Sequence, residues 1–215
     1  MTDFAAARRH MVDGQVRPAD VTDLRIISAM QAVARERFVP PEAAGLAYLD
    51  RSLSIGGTRC LLKPVVLAKL IQALELEPTD RVLVVGCATG YAAAVLGQIA
   101  GQVVALEQDD ALVQAARAAL ASQPNVIVAK GPLVEGWERG GAFDAILVDG
   151  AIEVLPDAFR RQLKEGGRLA CVLGGAPQAS ARLYRRSGDE LGGRAIFDAA
   201  AAPLPGFAKT PVFAF

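Results

Sequence analysis

From Arg81 onward, short apolar runs alternate with stretches of helical periodicity. Arg81-Val82-Leu83-Val84-Val85 is continuous and apolar, as suits a strand buried on both faces of a parallel sheet. A loop from Gly86 to Gly90 follows, then an Ala-rich helix expected to run to about Ile99. Val103-Val104-Ala105-Leu106 reads as a second strand ending at Glu107, and residues 110–121 as a helix. Val126-Ile127-Val128 is a third strand, Phe143 to Val148 a fourth, with Asp149 after it. A helix over 156–164 and a fifth strand over 167–173 complete the pattern. Strands and helices alternating at these lengths predict βαβ units and an α/β, mostly parallel, doubly wound sheet. Residues 181–187, 194–198 and 211–215 are expected to add antiparallel strands.

The chain before Arg81 has a different texture. Leu24, Ile27, Met30 and Val33 recur at near-helical spacing, which predicts a helix over Thr22–Arg35 with Asp20 as its N-cap. Phe38-Val39-Pro40-Pro41 ends it. Residues 52–63 read as irregular, with a turn at Gly56-Gly57. A second helix starts at Pro64, a favoured first-turn residue, and gathers Val66, Leu67, Leu70, Ile71 and Leu74 on one face. Pro78-Thr79-Asp80 punctuates its end. The expected organisation is an N-terminal helical segment over 1–77 and an α/β domain over 78–215, forming one structural unit.

Composition narrows the function classes. The 215 residues suit one domain, and 52% hydrophobic residues exclude intrinsic disorder. Lys+Arg and Asp+Glu both number 23, so no general electrostatic footprint for nucleic acid is expected. Cys60, Cys87 and Cys171 are far apart and form no C-x-x-C, and His10 is the one histidine. Neither a disulfide framework nor a metal site is expected; His10 reads as an ordinary helix or surface residue. No signal-peptide pattern appears and no apolar run approaches the ~18 residues of a membrane span. The expected address is the cytoplasm, without a membrane partner. The pattern assigns no oligomeric state.

Open α/β sheets bind ligands beyond the carboxyl ends of their strands. That edge is expected to carry Gly86–Gly90, Glu107, Gly131 and Asp149–Ala151. Glu107 follows Gly86 by 21 residues. A carboxylate there can accept both hydroxyls of a ribose, while the glycines admit a ligand close to the backbone. A dinucleotide fingerprint needs small residues where Ala88 and Tyr91 stand, and Tyr91 is wrong for tight helix–strand packing. S-adenosylmethionine, which has no phosphates, fits the looser G-x-x-x-G turn better than NAD does. The plainer reading is a tight turn at Gly86 and Gly90 beside a solvated strand end at Glu107.

Three stretches make the chain resemble the protein-L-isoaspartate O-methyltransferase family. The first is Ala34-Arg35-Glu36-Arg37-Phe38-Val39-Pro40 with Ala47-Tyr48-Leu49-Asp50. The second runs from Leu53-Ser54-Ile55-Gly56 through Pro64 into Val82–Tyr91. The third takes in Gly131, Gly136-Trp137, Ala142–Ile146 and Gln162–Leu169. The resemblance covers about residues 11–175, and the stretch before the glycine loop makes it specific. The sequence departs from the family pattern at several ligand-facing places. Val84 stands where the family carries an acid, and Ala88 where the middle loop glycine would be. Cys60-Leu61-Leu62-Lys63-Pro64 replaces T-I-S-x-P, Gly131-Pro132-Leu133 replaces G-D-G, and Asp149-Gly150-Ala151 replaces T-A-A.

The resemblance implies a Rossmann-like S-adenosylmethionine-dependent methyltransferase fold. It also implies methyl transfer to the α-carboxylate of isoaspartyl residues in damaged peptides and proteins, leaving S-adenosylhomocysteine. A carboxylate is already nucleophilic and a sulfonium already activated, so alignment rather than a general base is what the protein must supply. The implied donor-binding positions are Gly86, Cys87, Ala88, Thr89, Gly90, Glu107, Gly131, Pro132, Leu133 and Asp149. Cys60 and Leu62 stand at the acceptor side, where Leu62 has no hydrogen-bond donor on its side chain and Cys60 only a weak one. Arg59 is the candidate to bind an acceptor carboxylate there. Trp137 is expected to pack rather than stack on a ligand. The rival readings are a methyltransferase with a different acceptor, a non-catalytic homologue acting as a binding module and, more distantly, a dehydrogenase.

Overall fold

The computed structural model describes residues 3–175 and 178–209. Its centre is a seven-stranded sheet in the order β5-β4-β3-β6-β7-β8-β9. The strands are β3 (Arg81–Val85), β4 (Gln102–Glu107), β5 (Val126–Lys130), β6 (Phe143–Ile152), β7 (Leu163–Leu173), β8 (Ser180–Ser187) and β9 (Glu190–Asp198). β3 to β7 are mutually parallel, and β8 and β9 close the sheet antiparallel. Val82–Val85 of β3 are fully buried, each worth about 1.5–3 kcal/mol of burial. That explains why the most apolar run takes the inner position. The α/β, doubly wound expectation holds, with helices α4 (Tyr91–Leu96), α5 (Asp110–Leu120) and α6 (Asp157–Gln162) in the connections.

Several boundaries differ from the sequence expectation. The fourth strand runs on to Ile152, so Asp149 lies inside it rather than after it. A register irregularity between Leu147 and Ala151 and a bridge from Ala151 to Pro203 account for the extension. α4 stops at Leu96, short of Ile99, and all six of its residues are buried in the core. β7 begins at Leu163, within the stretch expected to be helical. The strand expected over 211–215 lies outside the described residues.

Before the sheet come α1 (Phe4–Met11), a helical extension over 12–19, α2 (Leu24–Ala32) and α3 (Pro64–Ala73). The N-cap of α2 is Asp23, which accepts from Arg25 N at 2.8 Å. Asp20 instead takes a left-handed conformation (φ 64°). Gln72 on α3 decides this, because its Oε1 accepts from Thr22 N (2.7 Å) and Asp23 N (3.1 Å). α2 ends before Arg35, whose side chain turns inward to the carbonyls of Ala47 (2.8 Å) and Leu62 (2.7 Å). The stretch expected to be irregular contains a hairpin, β1 (Leu53–Gly56) and β2 (Arg59–Leu61), turning at Gly56-Gly57. One hydrophobic cluster joins Met11, Met30 and Leu67 to Val84, Ala105 and Leu147, so this segment shares the core of the sheet.

Candidate active site

Parallel register brings the carboxyl ends of β3, β4 and β6 together: Val85 lies beside Leu106 on one side and Val148 on the other. The next residues along these strands are Gly86, Glu107 and Asp149. Gly86 N and Cys87 N both donate to Leu106 O (2.9 and 3.0 Å), and Gly90 N donates to Cys87 O (2.8 Å). Gly86 (φ 76°) and Gly90 (φ 99°) adopt conformations that side chains resist. A Cβ at Gly90 would also meet Leu120 Cδ1 at 2.7 Å. Thr89 Oγ1 donates to Phe38 O at 2.6 Å, tying the turn to the N-terminal segment.

Glu107 is fully buried, not a solvated strand end. Its Oε1 accepts from Arg59 Nη1 (2.8 Å), Gln108 N (2.8 Å) and Asp109 N (3.2 Å). Its Oε2 accepts from Arg59 Nη2 (2.8 Å) and Ala88 N (2.9 Å). Arg59 Nη2 also donates to Gly86 O at 2.9 Å. The structure therefore turns Arg59 inward onto Glu107 instead of leaving it free for an acceptor. Burial is what makes the pairing necessary, since an unpaired charge there would be strongly destabilising.

Asp149 is buried in the same place. Burial pushes its carboxyl up to about 7, against the pull of the Arg59 and Arg35 charges and with a further push from Glu107. Cys87 is buried beside these acids, and its thiol is pushed well up, chiefly by burial. Leu204, from the segment after β9, packs over this edge of the sheet. A Cβ on Gly86 would lie 2.9 Å from both Leu204 methyl carbons, and one on Gly150 2.6 Å from Leu204 Cγ.

The remaining predicted positions are scattered. Cys60 is half-buried, opposite Ser54 in the hairpin. Leu62 is a core residue whose carbonyl accepts from Arg35. Gly131 N donates to Glu107 O (3.1 Å), Pro132 is exposed and Leu133 is fully buried. Trp137 is half-buried and packs against a second hydrophobic cluster, which includes Leu133, Phe159 and Leu163. His10 is exposed on α1. Leu204 escaped sequence reasoning, because an Ala- and Pro-rich tail carries no periodic signal. So did the Arg59–Glu107 pairing, which joins residues 48 positions apart.

S-adenosylmethionine would need Glu107 to accept its ribose hydroxyls and Gly86 to admit it closely. Five donors already surround the Glu107 carboxylate, which has about four lone-pair sites. The cradle over Gly86 and Gly150 is filled by Leu204. The residue types suit the donor, but their arrangement in this structure does not fit it.

Residues 7–202 match the family described as Protein-L-isoaspartate(D-aspartate) O-methyltransferase (PCMT). Protein-L-isoaspartate O-methyltransferase 1 of Rhodopseudomonas palustris (strain HaA2) is 40% identical over 209 residues, covering 95% of this chain and 85% of that protein. A Methylorubrum extorquens (strain PA1) protein-L-isoaspartate O-methyltransferase is 42% identical over 204 residues, covering 94% and 90%. A solved protein-L-isoaspartate O-methyltransferase superposes with a TM-score of 0.82 at 24% identity, covering 93% of this chain and 66% of the other. A Plasmodium falciparum structure described as a PCMT-type beta-aspartate methyltransferase, in complex with S-adenosyl-L-homocysteine, gives 0.77 at 18% identity, covering 92% and 97%. The two structural matches bear on the fold.

Proposed function

This chain belongs to the protein-L-isoaspartate(D-aspartate) O-methyltransferase family, and from that membership we propose the carboxyl edge of its sheet, around Gly86 and Glu107, as the place of reaction. The enzyme is an S-adenosylmethionine-dependent protein carboxyl O-methyltransferase acting on isoaspartyl residues of damaged proteins. One observation carries the placement: the Gly86 turn and the Glu107 carboxylate sit side by side at the carboxyl edge of β3 and β4. A glycine turn beside an acid at such an edge is the pair of residue types a ribose-bearing ligand requires.

The acceptor side is assigned to the hairpin and the link into α3, where Cys60 is half-buried. Arg35 holds that link in place through the Leu62 carbonyl. Asp149 would repel an anionic acceptor if fully ionised. With its carboxyl pushed up to about 7, a substantial neutral fraction at neutral pH weakens that repulsion. A cytoplasmic address belongs to the same proposal. The free cysteines Cys60, Cys87 and Cys171 support it. No helix among the described residues is long and apolar enough to cross a membrane.

The test is methyl-ester formation on a short isoaspartyl peptide with methyl-labelled S-adenosylmethionine, against the same peptide containing ordinary aspartate. Label on the isoaspartyl peptide alone is expected. Equal labelling of both peptides, or labelling of a small acid in their place, would overturn the acceptor assignment.

A further inference from the structure

Two parts of the chain stand where the donor should go. Arg59 satisfies the Gly86 carbonyl (2.9 Å) and both Glu107 oxygens (2.8 Å each). These are a carbonyl and a carboxylate that the donor's ammonium and ribose hydroxyls could use. Leu204 lies over Gly86 and Gly150 with only 5% of its surface exposed. The segment carrying it is laid on β6 by main-chain bonds, Ala151 N to Ala202 O and Leu204 N to Ala151 O, both 2.8 Å. Glu153 N and Val154 N donate to Phe207 O at 3.2 Å.

We infer that Arg59 and the segment Ala199–Phe207 form an internal plug that competes with S-adenosylmethionine for the edge at Gly86 and Glu107. The inference rests on reading this edge as the donor site. Binding then requires Leu204 to lift from Gly86 and Gly150, and Arg59 to leave Glu107. The segment has no regular secondary structure, and its hold on β6 and the two residues after it is four main-chain bonds and the buried side chains of Leu204 and Phe207, so release would be a local opening of this stretch alone. Arg59 also lines a hollow of about 380 Å³ with Thr58, Gln108, Asp109 and Pro205. Glu107 would keep three backbone donors after Arg59 departs. A ligand that binds only the open state has its apparent affinity reduced by the open fraction.

The experiment is calorimetric titration of the full chain and of an Arg59→Gln/Leu204→Ala double variant with S-adenosylhomocysteine. The expected result is at least tenfold tighter binding by the double variant. A smaller gain, no gain, or no binding by either protein overturns the plug. Should the double variant lose its thermal unfolding transition, each single variant is read by its own gain, with threefold as the threshold. Methyl transfer to the isoaspartyl peptide reads the family activity separately. A variant that binds tightly but transfers no methyl would overturn that activity and leave the plug standing.

Discussion

Arg59 and Glu107 face one another through two hydrogen bonds of 2.8 Å, with the guanidinium side chain 9% exposed and the carboxylate buried completely. The pair is asymmetric. Glu107 has three backbone donors besides Arg59, whereas Arg59 has only the Gly86 carbonyl besides Glu107. Glu107→Gln is therefore expected to destabilise the fold by about 3–5 kcal/mol, the cost of stranding a buried charge. Arg59→Gln should cost clearly less. Urea unfolding of the two variants checks the order, and equal losses would contradict the asymmetry.

Asp149 makes stability depend on pH. Its carboxyl is raised from 3.8 to about 7 in the fold, so the native state holds a proton that the unfolded chain has released between those values. The penalty is absent below pH ~4, grows as pH rises and is complete above ~7, at most on the order of 4 kcal/mol. Asp149→Asn is expected to gain on the wild type across that window. The check is unfolding at pH 4.5 and 7.5 for both proteins; a constant difference between them would remove Asp149 as the cause.

Gly90→Ala tests the turn. The residue has φ 99° and a Cβ would meet Leu120 at 2.7 Å, so strain and overlap act together. A loss of roughly 2–4 kcal/mol is expected. At this chain length that lowers Tm by about 4–16 °C. Thermal unfolding followed by circular dichroism measures it. A shift below about 2 °C would show that the turn tolerates a side chain.

Arg35 pins the chain between Ala47 and Leu62 from within. Its guanidinium lies 4.6 Å from the centroid of the Tyr91 ring and donates to the carbonyls of Ala47 and Leu62. Lysine carries the charge but not the planar fork. Arg35→Lys is expected to lower stability by about 2 kcal/mol or more, since one buried carbonyl loses its donor. Hydrogen exchange should also quicken in residues 47–62. Unchanged exchange there would mean the segment is held by other contacts.

Much of the fold was legible because burial writes itself into the sequence as periodicity. Val82–Val85, Val103–Leu106 and the apolar face of α3 declare themselves, since a strand buried on both faces must be apolar throughout. Boundaries were less legible where a distant residue decided them. Gln72 moved the N-cap of α2 from Asp20 to Asp23, and the tail drew β6 out to Ile152. The hairpin at Gly56-Gly57 showed its turn but not its strands, which are only four and three residues long.

The sequence by itself determined the α/β sheet, the glycine turn, the acid placed 21 residues after it and the family resemblance. These follow from local composition and spacing, which one chain displays in full. Only the tertiary structure decided that Glu107 is occupied by Arg59, that Leu204 lies over Gly86, and that Asp149 is a buried acid. Each depends on which distant side chain reaches a desolvated position. That choice is made by packing and by the electrostatics of burial, to which spacing along the chain is blind.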